Sequence, residues 1–332
     1  MKTTIMLCSL LVLLSFCSCG SSSNKSTSDN STASSPTVEV PVFDADSAYR
    51  YIQKQVDFGP RVPNTKAHKA CANHLATQLE KFGAKVIKQE ADLVAYDGTL
   101  LKACNIIGSY QPDNKRRIAL FAHWDSRPWA DNDPDEKNHH TPILGANDGA
   151  SGVGVLLEIA RQIQQKQPEL GIDIIFFDAE DYGEPQFSDG DHKEESWCLG
   201  SQYWARMPHV ANYNARFGIL LDMVGGKDAT FYKEGYSERY AADVNKKVWK
   251  AAKRLGYEKN FVNSDGGFTT DDHLFVNRIA QIKTIDIVPS DPSGKYSFNE
   301  TWHTINDNME HIDRSTLKAV GQTVLEVLYN EK

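Results

Sequence analysis

Two stretches of this chain, Arg117 to Ala122 (RIALFA) and Ile172 to Phe177 (IDIIFF), are apolar almost without interruption and run straight into acidic or imidazole residues. A strand with one wet face alternates polar and apolar side chains, whereas a continuous apolar run must be covered on both faces. Phe217 to Leu221 has the same character, and Ile279 to Val288 is read as a fourth strand. Between these runs the apolar spacing becomes helical. Helices are predicted over Asp44 to Phe58, Asn64 to Phe82, Gly152 to Gln165, around Gly200 to Ala205, over Ser237 to Leu255, and over Arg314 to Tyr329. Buried strands separated by helices predict an α/β chain with a central mixed, mostly parallel twisted sheet flanked by helices. No internal repeat or second compositional regime divides the chain, so a single domain is expected.

The amino terminus is different in kind. Lys2, the apolar run Ile5 to Phe16, and Cys17-Ser18-Cys19-Gly20 have the layout of a secretory signal, too short to span a bilayer. A cysteine at its end followed by serines matches a lipoprotein signal, with residues 1–18 removed and Cys19 carrying the lipid. A plain signal cut near Ser18 is the alternative. Residues 19–40, rich in Ser, Thr and Asn, form a flexible tether, and residues 41–332 form the folded domain. The expectation is an exported, periplasmic protein touching a membrane only through its N-terminal lipid. A formal net charge of -8 argues against a nucleic-acid partner. Beyond the signal and Cys19 only Cys71, Cys104 and Cys198 remain; an odd number without CxxC spacing implies neither a disulfide framework nor a cysteine metal site.

The chemistry lies where the strands end. RIALFA runs into His123-Trp124-Asp125, IDIIFF into Asp178-Ala179-Glu180-Asp181, and FGILL into Asp222. The carboxyl edge of an open α/β sheet is where ligands gather. A Gly-rich loop carrying Asp148 precedes one helix, and Trp302-His303 lies near the end of the chain. Singly, each has an ordinary explanation: a capped histidine, an N-cap aspartate, a solvated loop acid. Together, candidate ligands from separated segments at one sheet edge point to a metal. Mixed carboxylate and imidazole ligands suit zinc, and an adjacent carboxylate not bound to it can act as general base. Asp125, two residues beyond His123, is placed to orient that imidazole.

The motifs GPRVPNTKAH, AHWDSRP, GANDGASGVGVLLEIAR, FFDAEDYG, LLDMVGG and WHTINDN, in this order, resemble the zinc-dependent M28 peptidase superfamily over nearly the whole chain after the tether. Within it the chain is most similar to the animal-type glutaminyl cyclases, a branch that also occurs in bacteria of the Bacteroidetes type; FFD-x-E-acid, Asp271-Asp272-His273 and WHT-x-x-DN carry that similarity. The resemblance implies a zinc-aminopeptidase-like fold, with Asp148, Asp181 and His303 as ligands of one Zn2+ and Glu180 as general acid/base. It further implies that Asp271 and Asp222 share protons near Glu180 and that Trp302 walls the pocket, with Trp197 a candidate for a second pocket tryptophan. In the dinuclear aminopeptidases of this superfamily, His123 and Asp222 would hold a second metal with Asp148 bridging. Two departures stand out. Asp181 replaces a glutamate of the animal enzymes, and Ala122 and Val153 stand where those enzymes have a disulfide.

The activity so implied is glutaminyl-peptide cyclotransfer: conversion of an N-terminal Gln of peptides or proteins to pyroglutamate, with release of ammonia. A zinc aminopeptidase with two metals is the alternative, because every ligand type of a dinuclear site is present. A non-catalytic binding module is a third reading, disfavoured by the intact acids and His303. The sequence carries no readable sign of oligomeric state.

Overall fold

The computed structural model describes residues 39–290 and 298–332. The expected signal, Cys19 and most of the expected tether lie outside the described residues. Glu39 and Val40 are described and already touch the fold: Lys166 pairs with Glu39 at 2.9 Å, and Val40 packs against the core.

Two helices open the domain. Helix α1 (Ala45–Val56) is capped by Asp44, whose side chain accepts from the backbone N–H of Asp46 and Ser47; α2 (Lys66–Lys81) is capped by Thr65 through His68 N–H. A hairpin follows, β1 (Lys85–Val94) and β2 (Leu100–Tyr110), then β3 (Arg117–His123), α3 (Ala150–Gln165), β4 (Gly171–Phe177), α4 (Leu199–Arg206) and β5 (Gly218–Leu221). The rest comprises β6 (Phe231–Lys233), α5 (Gly235–Arg254), β7 (Phe261–Asp265), the short α6 (Asp272–Phe275), β8 (Thr284–Ile287) and α7 (Arg314–Asn330).

Six strands form one sheet in the order β1-β2-β4-β3-β5-β8, while β6 and β7 make a small parallel pair. The β3, β4, β5 and β8 contacts are parallel; β1 with β2 and β2 with β4 are antiparallel. The sheet is therefore mixed, as expected. Every residue of β3, β4 and β5 is buried. Alternate side chains serve opposite layers. Ile118, Leu120 and Ala122 join the large core beneath α1, α3 and α7, while Ala119 and Phe121 join a second core with Trp204 of α4. Each fully buried Ile, Leu or Phe among them stabilises the fold by roughly 2 kcal/mol.

Two sequence expectations need correction. The run Ile279 to Val288 is not one strand: Val276–Ala280 forms a wide π-type turn ended by Gln281, and β8 covers only Thr284–Ile287. The Asn277 side chain explains the break, because it donates to His273 O and Thr284 O and accepts from Thr284 N–H. The hairpin over 85–110 received no assignment from sequence. Its outer strand β1 has no fully buried residue; exposed Lys88, Glu90 and Asp92 alternate with half-buried Ile87, Gln89, Ala91 and Leu93, but Gln89 and Ala91 leave that inner face too weakly apolar to mark a strand. Among the described residues, no helix is long and apolar enough to cross a membrane, and Cys71, Cys104 and Cys198 are unpaired and buried. Ala122 and Val153 belong to one apolar cluster, so packing holds the neighbouring loop.

Candidate active site

The chain leaves β3 for β4 on one side of the sheet and later returns to β5 on the other side of β3. The reversal opens a crevice at the carboxyl ends of these strands. His123 ends β3, Asp178 to Asp181 follow β4, and Asp222 follows β5. Asp148 reaches the crevice from the loop before α3, and His303 from the loop before α7. Gly149 makes the Asp148 loop possible. It has φ +92°, and a Cβ there would stand 2.4 Å from the Asp125 carbonyl oxygen. Gly152 lets α3 approach β5, since a Cβ would meet Leu221 O at 2.1 Å.

Ligand-type atoms of Asp148, Asp181 and His303 all lie within 4.8 Å of one another. His303 Nε2 is 3.2 Å from Asp181 Oδ1 and 3.5 Å from Asp148 Oδ2. Asp181 Oδ2 is buried with no hydrogen-bond donor, a costly arrangement that a cation would relieve. Two carboxylates and one imidazole form the donor set of an open zinc site. A second group, His123, Asp148 and Asp222, is equally tight, with His123 Nε2 3.0 Å from Asp148 Oδ1 and 3.2 Å from Asp222 Oδ1. The residues singled out from sequence thus converge, and Asp148 belongs to both groups.

Glu180 stands beside them, its Oε2 3.8 Å from His123 Nδ1. Burial pushes its proton affinity well above that of an ordinary carboxylate. The His123 charge opposes the shift, while Asp181, Asp271 and Asp272 add to it. Burial likewise raises Asp222 to about 7 and Asp181 to about 6. Asp148 goes the other way: burial would raise it, but the hydrogen bond and charge of His123, then His303, carry it below its usual value. Asp271 is raised by burial and Asp286 well above the usual range by burial and then by Asp271. Asp271 Oδ2 and both Asp286 oxygens are buried without a donor, so protons shared among these acids must satisfy them. A divalent cation held by Asp148, Asp181 and His303 would keep those two ligand carboxylates ionised.

The crevice holds a cavity of about 270 Å³ lined by Glu180, Asp222, Asp271, Trp197, Trp302 and Phe298, among others. Trp302 stacks on the His303 imidazole at 4.0 Å, and Trp197 lies parallel to it at 6.0 Å. Both tryptophans named from sequence therefore face this cavity. A larger groove of about 560 Å³ runs between α2 and the β1–β2 hairpin. None of the close groups of metal-ligating atoms found among the described residues lines it.

Behind these residues lie supporting ones: Asp125 is named from sequence as the partner of His123, whereas Arg127, Asp131 and Asp307 are not. Asp125 lies 3.5 Å from His123 Nδ1, but its two oxygens accept the backbone N–H groups of Glu180 and Asp181 at 3.2 Å each, so it chiefly sets the acid-pair loop. Arg127, buried four residues before Asp131, grips that carboxylate with two nitrogens, donates to Asp181 O at 2.9 Å, and stacks 4.5 Å from Trp197. Asp307 accepts from Asn147 N–H and Asp148 N–H, tying the His303 segment to the Asp148 loop. The i, i+4 spacing of Arg127 and Asp131 was the one available signal. Of ten non-glycine residues with left-handed φ among the described residues, Ala179, Cys198, Met223 and His303 lie at or beside this site. Such backbone costs free energy and persists where surrounding contacts over-determine it.

The Peptidase family M28 model matches residues 105–328. A crystal structure of Bacteroides thetaiotaomicron glutaminyl cyclase bound to N-acetylhistamine is 74% identical, with TM-score 0.87, covering 89% of this chain and 100% of that one. A crystal structure of a Zn-dependent exopeptidase from Parabacteroides distasonis is 62% identical, with TM-score 0.87, covering 88% and 100%. The glutaminyl-peptide cyclotransferase of Bos taurus is 26% identical over 303 residues, 81% of this chain and 79% of that protein.

Proposed function

This chain belongs to peptidase family M28, and from that premise we propose that it is a glutaminyl-peptide cyclotransferase using one zinc ion held by Asp148, Asp181 and His303. The observation that carries the reading is the buried Asp148–Asp181–His303 cluster with Glu180 beside it, facing a small aromatic-walled cavity. The 74% identity to a bacterial glutaminyl cyclase supports the choice of reaction.

Zinc at this site would supply Lewis acidity toward the side-chain amide carbonyl of an N-terminal glutamine. The chain's own residues do the rest. Trp302, Trp197 and Phe298 confine the substrate in a folded pose, bringing its α-amine near its own δ-carbonyl carbon. Glu180 accepts a proton from the attacking amine as the C–N bond forms, and returns it to the departing amide nitrogen, which leaves as ammonia. Burial and the neighbouring acids raise its proton affinity well above that of an ordinary carboxylate, the direction required of a group that must both take and give a proton. Asp271 and Asp222 line the same cavity and are the neighbouring carboxylates with which protons would be shared.

A second reading, an aminopeptidase with two metals, is favoured by the His123–Asp148–Asp222 group. Incubation with Gln-initiated and Leu-initiated dipeptides separates the two. Ammonia and pyroglutamyl product from the first alone support the cyclase; release of free amino acids replaces it with the peptidase. Metal content of one or two ions per chain is the matching measurement.

Residues 1–18 are further read as a cleaved signal, Cys19 as the lipidated residue and the segment from residue 19 up to the contacts of Glu39 and Val40 as the tether of a periplasmic enzyme. The support is the sequence pattern itself. A Cys19→Ala protein recovered in the soluble fraction, with wild type in the membrane fraction, is the expected result.

A further inference from the structure

Cys198 is a thiol with no part in the reaction as derived above, yet it touches the residue that carries the proton. It is fully buried and precedes α4 in a left-handed conformation, φ 56°. Its backbone N–H donates to Glu180 O at 2.9 Å, and the next residue, Leu199, donates to Ala179 O at 3.0 Å. Its Sγ–H donates to Glu180 Oε1 at 3.2 Å. The Cys198 carbonyl then accepts from Gln202 N–H and Ser201 Oγ, locking the residue to the first turn of α4. Main chain and side chain of one residue therefore grip main chain and side chain of Glu180.

We propose that Cys198 is a positioning residue for Glu180: its thiol, aimed by a left-handed backbone, holds Oε1 and fixes the rotation of the carboxylate in the cavity. The inference rests on the proton-carrying role given to Glu180 above. A β-carbon in the left-handed region is strained, and glycine would adopt the conformation freely. The chain carries that strain where only the side chain makes the contact with Oε1. Burial, and then the charge of the adjacent carboxylates, keeps the thiol protonated and so a donor.

Three variants test it: Cys198→Gly, which relieves the backbone; Cys198→Ala, which only removes the thiol; and Cys198→Ser, which restores a donor. Steady-state kinetics, zinc content and melting temperature are measured for each. The expected result is kcat lowered about tenfold or more in the Gly and Ala proteins, with KM and zinc content held and the Gly protein no less stable than Ala. The Ser protein recovers most of kcat. Gly or Ala proteins within twofold of wild-type kcat, or a Ser protein as slow as Ala, would overturn the proposal. An infrared S–H stretching band that vanishes in Cys198→Ser gives a readout independent of turnover. It is expected to shift between wild type and Glu180→Leu, and an unmoved band removes the hydrogen bond. If wild type hydrolyses Leu-initiated dipeptides and leaves Gln-initiated ones uncyclised, the cyclase reading fails. The Cys198 series is then read on hydrolysis, where Glu180 would also carry the proton.

Discussion

Asp131 Oδ1 lies 3.4 Å from His303 Nδ1, on the far side of the imidazole from Asp148 and Asp181. Arg127 holds that carboxylate at 2.7 and 2.6 Å, and with burial opposing, its hydrogen bond and charge bring Asp131 far below the usual carboxylate range. A carboxylate behind a metal-binding imidazole fixes its tautomer and orientation.

Asp131→Asn, which keeps the shape and removes the charge, is expected to weaken zinc binding about 10- to 100-fold. Competition against a chromophoric chelator measures this directly. Unchanged affinity would reduce Asp131 to a structural partner of Arg127.

Glu180→Gln should retain its zinc and fold while losing turnover by about 10²- to 10⁴-fold, the usual worth of a positioned proton carrier. Metal analysis and kinetics on the same preparation decide it. Near-normal turnover would strip Glu180 of its role.

Chelation should expose a pH dependence of stability with a definite sign. Burial raises Asp181 to about 6 and Asp222 to about 7 in the folded chain, against about 3.9 for an unfolded aspartate. Folding in chelator therefore takes up protons between about pH 4 and 7. Their contribution is fully present below pH 4 and is lost as pH rises through the folded values. Zinc would hold its ligand Asp181 ionised and remove that residue's share of the slope. The melting-temperature gap between zinc-loaded and chelated protein should widen from pH 5 to pH 8; a constant gap contradicts the assignment.

Gly149→Ala should destabilise the fold by more than about 1 kcal/mol, since a β-carbon there combines φ +92° with a 2.4 Å approach to Asp125 O. Urea denaturation measures the loss, and weaker zinc binding should accompany it because Asp148 is the preceding residue. A neutral alanine would show that the loop shifts without consequence.

The β3 and β4 runs, the helices and the carboxyl-edge positions of His123, Asp181 and Asp222 were legible because uninterrupted apolar runs admit few placements. The β1–β2 hairpin was not, because the inner face of its edge strand β1 carries Gln89 and Ala91 between Ile87 and Leu93 and is too weakly apolar to announce a strand. Nor was the π-type turn at Val276–Ala280, which depends on Asn277 reaching across to Thr284.

By itself, the sequence determined which segments must be buried, and therefore which polar residues those segments carry to one edge of a sheet. Only the tertiary structure decided what lies behind them: Asp131 behind His303, Asp307 beneath the Asp148 loop, Cys198 against Glu180. Apolar periodicity is a property of neighbours in sequence and survives in one dimension. Contacts between residues 18 to 172 positions apart depend on how the loops close, and no local pattern records them.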